Sequence, residues 1–259
     1  MTVTYGVEAG VATLTLSSPA TRNVLTAESM AAMRDHLRAA AEDLAVRVVV
    51  LTGEGSTFCA GADLSGALAG DSDSFTSSGP AAMAALLEAM LDHPKPLVAR
   101  VQGHVAGGGN GLVAACDIAV AAESAKFAFS EVRVGVAPAV ISVVCLAVMH
   151  RRHAQELLLT GERVSAQRVL EAGLVTAVAD DDALDAVVSS YVDALVLGGP
   201  EAMGHTKNLL RRVPKLTRDE AFAFTAELSG SLFASAEARE GMGAFLERRS
   251  PSWAPSPRS

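Results

Sequence analysis

The sequence carries no surplus of basic charge. Lysine and arginine number 21 against 29 aspartates and glutamates, a net charge of −8 with a pI near 5.3. That balance argues against a nucleic-acid surface or an anionic-membrane surface as the general role of the chain. Cysteine is sparse: Cys59, Cys116 and Cys145 lie far apart in apolar surroundings, with no close Cys/His spacing. This is neither a zinc framework nor a disulfide scaffold, and it points to free thiols in a reducing compartment. There is no long hydrophobic run. The most apolar stretch, 134–149, is shorter than the roughly 20 residues of a membrane helix and is interrupted by Pro138 and Ser142. The N-terminus lacks the basic and apolar regions of a signal peptide, so the expectation is a soluble cytoplasmic protein. Dinucleotide Gly-x-Gly-x-x-Gly spacing, a P-loop, the Gly-x-Ser-x-Gly elbow and internal repeats are all missing.

What is present is a chain of 259 residues, half of them apolar, long enough to bury a large core. Residues 2–8 and 11–16 read as a hairpin. Thr26, with Ser29 three residues on, caps a helix whose apolar positions Met30, Met33 and Leu37 recur at helical spacing. Residues 46–52 form a continuous apolar strand, as expected in a sheet covered on both faces. A second round follows, with a helix over 80–92, a strand over 97–101, a helix over 107–115 and a strand over 117–122. The alternation predicts an α/β class. From residue 138 onward the pattern is almost wholly helical. A change of texture at Gly198-Gly199-Pro200 divides the chain into 1–197 and a helical region over 198–259.

Two small-residue turns carry the chemistry. Gly107, Gly108 and Gly109 stand at the start of a helix, where side chains do not shield the backbone and free N–H groups face the turn. Phe58-Cys-Ala-Gly-Ala-Asp63 is a second such turn after a buried strand. One amide from each, aimed at the same oxygen, makes a two-donor oxyanion hole able to stabilise a thioester enolate. Glu131, downstream of the glycines, is the acid/base candidate. The alternative for it is a structural carboxylate paired with Arg133.

Together these segments resemble the crotonase superfamily, the enoyl-CoA hydratase/isomerase family. The resemblance runs through Asn23-Val24-Leu25, Phe58-Cys-Ala-Gly-Ala-Asp-Leu, the triple glycine, Cys116-Asp-Ile, Ser130-Glu131, Leu159-Thr-Gly-Glu, Ala172-Gly-Leu-Val and Glu240-Gly-Met-Gly-Ala-Phe. It implies a ββα spiral core binding acyl-CoA over 1–197 and a C-terminal helical trimerisation region over 198–259. The amides of Ala62 and Gly108 would form the oxyanion hole, with Glu131 as the catalytic carboxylate. Ala60, Asp63, Leu64 and Ser65 would line the coenzyme A path, with Gly111, Arg22, Phe245 and Arg248 as further substrate contacts, Arg248 reaching a neighbouring subunit's ligand. The implied partner is an acyl-CoA thioester, bound by a homotrimer or a dimer of trimers, with no nucleic acid and no membrane. No metal or other cofactor is implied, since coenzyme A belongs to the substrate.

One departure matters. The first of the two glutamates carried by hydratases of the family falls on Gly111, leaving a gap opposite Glu131. A single carboxylate suits proton transfer between two carbons, the chemistry of the family's isomerases. The segments around Gly111 and Glu131 also resemble the branch with bacterial 3-methylglutaconyl-CoA hydratases, where glycine at the first position is compatible with hydration. The expectation is hydration of a 2-enoyl-CoA by one glutamate. The alternatives are double-bond isomerisation and, from another class, acyl-CoA binding without turnover.

Overall fold

The computed structural model describes residues 2–63 and 79–254, so Leu64 and Ser65 lie outside the described residues. Ten strands among the described residues form two sheets. The larger contains β1 (Val3–Glu8), β2 (Val11–Leu16), β3 (Val48–Gly53), β5 (Leu97–Val101), β7 (Ile118–Ala122) and β10 (Ala177–Ala179), side by side in that order. The smaller contains β4 (Thr57–Cys59), β6 (His104–Ala106), β8 (Lys126–Ala128) and β9 (Arg163–Ser165). The β1–β2 hairpin is antiparallel, and the large sheet is parallel from β2 onward.

Each turn of the chain lays one strand in the large sheet and, a few residues later, one in the small sheet: β3 then β4, β5 then β6, β7 then β8. Helices close the turns. They are α1 (Ala27–Glu42) before β3, α2 (Gly79–Asp92) before β5 and α3 (Gly108–Ala115) before β7. The result is a crotonase-like ββα spiral. Covered on both faces, Val48, Val49, Val50 and Leu51 of β3 are all buried, whereas β2 alternates, with Ala12, Leu14 and Leu16 inward. Helix α1 buries Met30, Met33, Leu37 and Ala40. Its cap is reciprocal: the Thr26 side chain accepts from the Ser29 N–H, and Ser29 Oγ accepts from the Thr26 N–H. Ser29 thus takes the position usually held by Glu or Gln.

The remaining helices are α4 (Ala139–Val148), α5 (Arg151–Thr160), α6 (Ala166–Glu171), α7 (Leu184–Val196), α8 (Pro200–Arg212), α9 (Arg218–Phe233) and α10 (Ala236–Glu247). The expectation of an almost wholly helical chain after residue 138 is corrected by β9 and β10. Each is three residues long, too short to show a period, and is held by long-range pairing with β8 and β7. The strands β4, β6 and β8 escaped the sequence for the same reason.

Helix α8 is fastened to the core by Lys207, whose ammonium lies 2.7 Å from Asp117 Oδ2 and donates to the Lys95 carbonyl. The same Asp117 oxygen accepts the Leu97 N–H, so this carboxylate serves the start of β5 and the docking of α8. Arg47 ties both ends of the C-terminal region to the core, donating to the carbonyls of Gly198 before α8 and Trp253 after α10. Helix α9 contains no buried residue, and Phe222, Phe233, Phe245 and Leu246 are exposed on α9 and α10. No helix among the described residues is long and apolar enough to cross a membrane.

Candidate active site

The small sheet brings the two turns together. Strand β4 pairs with β6 in parallel, so the segments leaving their C-terminal ends emerge side by side. After β4, Gly61 adopts φ +87°. Leu25 then bridges Ala62 in parallel: its N–H donates to the Gly61 carbonyl at 2.7 Å and its carbonyl accepts the Asp63 N–H at 3.2 Å. A parallel bridge of this kind uses the groups flanking Ala62 and leaves the Ala62 N–H on the opposite edge. The Ala60 N–H donates to the Arg22 carbonyl, so residues 22–25 brace the turn from outside.

That brace depends on Asn23, whose place in the site sequence reasoning did not isolate. Its side chain is buried; Oδ1 accepts the Ser18 N–H at 2.8 Å, and Nδ2 donates to the carbonyls of Glu54 and Thr57. A buried carboxamide with three partners, on a residue at φ +54°, holds segment 22–25 against the end of β4.

After β6, Gly107 takes φ +49° and ψ −123°, and its N–H donates to the Ala128 carbonyl at 3.1 Å. It is the cap of α3, so the Gly108 amide at the first helical position is not consumed by the helix. The turns touch: a Cβ on Gly61 would lie 3.2 Å from the Gly108 nitrogen and 2.8 Å from the Ala106 carbonyl oxygen. An amide from each turn, Ala62 and Gly108, therefore flanks a junction closed to any side chain at position 61.

Glu131 sits in a 3-10 turn, Ser130–Val134, directly after β8. Its Oε1 lies 3.4 Å from where a Gly107 Cβ would stand, so the carboxylate rests on the glycine turn. Its Oε2 is buried and has no hydrogen-bond partner among the described residues. Burial raises its carboxyl above the usual carboxylate range, opposed by its own backbone N–H. The alternative pairing with Arg133 is not made: that guanidinium donates to the Thr160 carbonyl and lies 3.9 Å from Glu162. Cys145 on α4 turns its Sγ to the Asn110 carbonyl at 3.8 Å, and burial, then the Glu131 charge, push its thiol up to about 12.

The expected gap at Gly111 is corrected by the packing. A Cβ there would meet Ile141 Cγ2 at 2.6 Å, Ile141 Cβ at 3.1 Å and Met83 Cε at 3.2 Å. Aliphatic atoms from α4 and α2 fill the space that a side chain at 111 would occupy, and a tertiary contact of this kind is invisible in a sequence. Gly111→Glu alone is therefore expected to destabilise the fold by about 1–3 kcal/mol, because Ile141 is β-branched and gives way poorly. Adding Ile141→Ala should recover part of the loss, read from denaturation midpoints.

Of the other candidates, Ala60 and Asp63 join the site through their main chains. Arg22 is exposed in the left-handed region, its N–H donating to the Pro19 carbonyl and its carbonyl accepting the Ala60 N–H. Phe245 is 83% exposed, and Arg248 is an exposed left-handed cap ending α10. Among the described residues, neither makes a hydrogen bond or ion pair with the two turns.

An α/β spiral whose paired glycine turns adjoin a half-buried carboxylate is the architecture of an acyl-thioester enzyme class, and similarity to known proteins agrees. The family model described as enoyl-CoA hydratase/isomerase matches residues 6–256. The chain is 35% identical over 244 residues to the enoyl-CoA hydratase EchA19 of Mycobacterium tuberculosis, covering 93% of this chain and 91% of that protein. It is 31% identical over 239 residues to the 2,3-dehydroadipyl-CoA hydratase of Escherichia coli, covering 92% of each. The crystal structure of an enoyl-CoA hydratase from Shewanella pealeana superposes with a TM-score of 0.92 at 32% identity, covering 98% of this chain and 96% of that one. The chain belongs to the enoyl-CoA hydratase/isomerase family.

Proposed function

We propose that the protein hydrates a 2-enoyl-CoA thioester using Glu131 as its single acid/base. The observation that carries this reading is the Glu131 carboxylate on the Gly107 turn, with Oε2 unpartnered among the described residues and its carboxyl raised by burial. The thioester carbonyl would lie between the amides of Ala62 and Gly108. Water adds its oxygen to the β-carbon and gives a proton to Glu131. The electron pair of the double bond moves onto the thioester oxygen as an enolate held by the two amides. Glu131 then returns the proton to the α-carbon, which balances the addition. Coenzyme A enters as part of the substrate, and the reaction so written uses no other cofactor. The hydratase names borne by relatives support this direction.

A specific observation favours double-bond isomerisation as a second reading. The atoms that a side chain at Gly111 would meet, on Ile141 and Met83, are aliphatic and hold no water, while one carboxylate suffices to carry a proton from one carbon to another. The two separate by the absorbance of the conjugated thioester. Crotonyl-CoA loses it on hydration, and a 3-enoyl-CoA gains it on isomerisation. Turnover of neither, nor of 3-methylglutaconyl-CoA, with coenzyme A still bound, would leave the binding protein as the reading.

The exposed apolar faces of α9 and α10 support assembly as a homotrimer or a dimer of trimers, bringing Phe245 and Arg248 to a neighbouring ligand. Light scattering should give the mass of a trimer or hexamer; a monomer would remove those two residues from the site. The three free thiols suit the cytoplasm.

A further inference from the structure

Asn110, at the third position of α3, is fully buried, and its carboxamide is used unevenly. Nδ2 donates to the Ala128 carbonyl at 2.9 Å and to the Gly107 carbonyl at 3.3 Å. Oδ1 is buried without a hydrogen-bond partner among the described residues. Neither carbonyl needs the side chain. Ala128 already accepts the Gly107 N–H, and Gly107 already accepts the Asn110 N–H. The orphaned oxygen carries a desolvation cost that an aliphatic residue of similar size would avoid. Stability alone therefore does not account for an asparagine here.

Its two bonds do span two parts of the site. Ala128 ends β8, three residues before Glu131, and pairs with Ala106 at the end of β6. Gly107 follows Ala106 and precedes the Gly108 amide. Beyond the last rung of the β6–β8 ladder, the Asn110 side chain thus continues the connection between the two segments.

We propose that Asn110 is a positioning residue that fixes the Glu131 carboxylate relative to the Gly108 amide by clamping the carbonyls of Gly107 and Ala128. The proposal rests on the acyl-CoA reading of the site. A shift of about 1 Å between acid/base and oxyanion donor costs on the order of 10²-fold in rate, so a clamp between them acts on kcat.

The test compares Asn110→Leu and Asn110→Asp with the intact protein on the enoyl-CoA that it turns over. Leucine removes the donors, and kcat is expected to fall about 10- to 100-fold, with KM nearly unchanged and Tm not lowered. The acid limb of kcat/KM should move to lower pH as Glu131 loosens toward solvent. Aspartate sets an acceptor against two carbonyls and adds a negative charge, so its limb should move to higher pH. A kcat close to that of the unaltered protein in both variants overturns the clamp. So does a joint fall of kcat, substrate binding and Tm with an unmoved acid limb, the mark of a purely structural side chain. If the unaltered protein turns over no enoyl-CoA, the functional reading fails by itself. The clamp is then read from the carbon-13 carboxyl titration of Glu131, which moves in Asn110→Leu if the side chain positions it and stays fixed if not.

Discussion

Glu131→Gln is expected to lower turnover of the enoyl-CoA by about 10²- to 10⁴-fold, the range of a positioned acid/base, while coenzyme A thioester affinity stays close to that of the unaltered protein. The substitution preserves size and removes only the ability to take and return a proton. Steady-state rates with binding measured by calorimetry check it, and retained turnover would move the role to another group. The same variant carries a stability signature. Because the folded carboxyl is raised above its unfolded value, the fold favours the protonated form. The folded protein then binds more protons than the unfolded chain between the two values, so the Glu131 contribution falls as pH rises through the folded one. Above the folded value an ionised, partly desolvated carboxylate is left in place. Glu131→Gln should therefore have the higher Tm at pH 8, and the gap should shrink on acidification. Activity runs the other way, since the base form is lost as pH falls. Gain of stability with loss of rate in one variant is what a functional carboxylate produces, whereas a structural ion pair would lose stability.

Gly61→Ala is expected to be nearly as damaging, through the backbone. The residue sits at φ +87°, where an L side chain is strained, and the new methyl would stand 2.8 Å from the Ala106 carbonyl and 3.2 Å from the Gly108 nitrogen. Both are main-chain atoms with no free rotation to yield. Relief requires the two turns to part, which separates the amides of Ala62 and Gly108. Loss of one oxyanion donor costs roughly 10²–10³ in kcat, and the strain itself costs on the order of 1–3 kcal/mol of stability. The discriminating measurement is binding of an enolate-forming thioester such as acetoacetyl-CoA. Its enolate absorbance should be lost in Gly61→Ala and kept in Glu131→Gln. An undiminished enolate signal in Gly61→Ala would remove the two amides from the site.

The hairpin, the α1 cap and helical stripe, the buried strand β3 and the βα alternation all follow from local chemistry. Their signals lie in periods of two or about four residues and in capping side chains, which neighbours along the chain create without help from the fold. The two glycine turns were legible for a similar reason: positive φ and close backbone approach demand glycine, and demands of that kind leave a mark on the sequence. Glu131 was legible only in company with them, since an isolated glutamate in a turn has no distinguishing pattern.

What the chain could not disclose is whatever depends on atoms far apart in sequence. The three-residue strands of the small sheet exist because partners hold them. Asn23 and Asn110 look like ordinary loop and helix residues until burial shows where their carboxamides reach. Gly111 read as an empty place for a second carboxylate, and the fold filled it with Ile141 and Met83, which enter from two other helices. The sequence by itself determined the family, the α/β class and the residue types at the two turns. Only the tertiary structure decided that those turns meet, that Glu131 lies on one of them half-buried and without an ion-pair partner among the described residues, and that Ile141 and Met83 stand where a side chain at 111 would go. Contacts and desolvation are properties of packed neighbours, and packing is set by the whole chain at once.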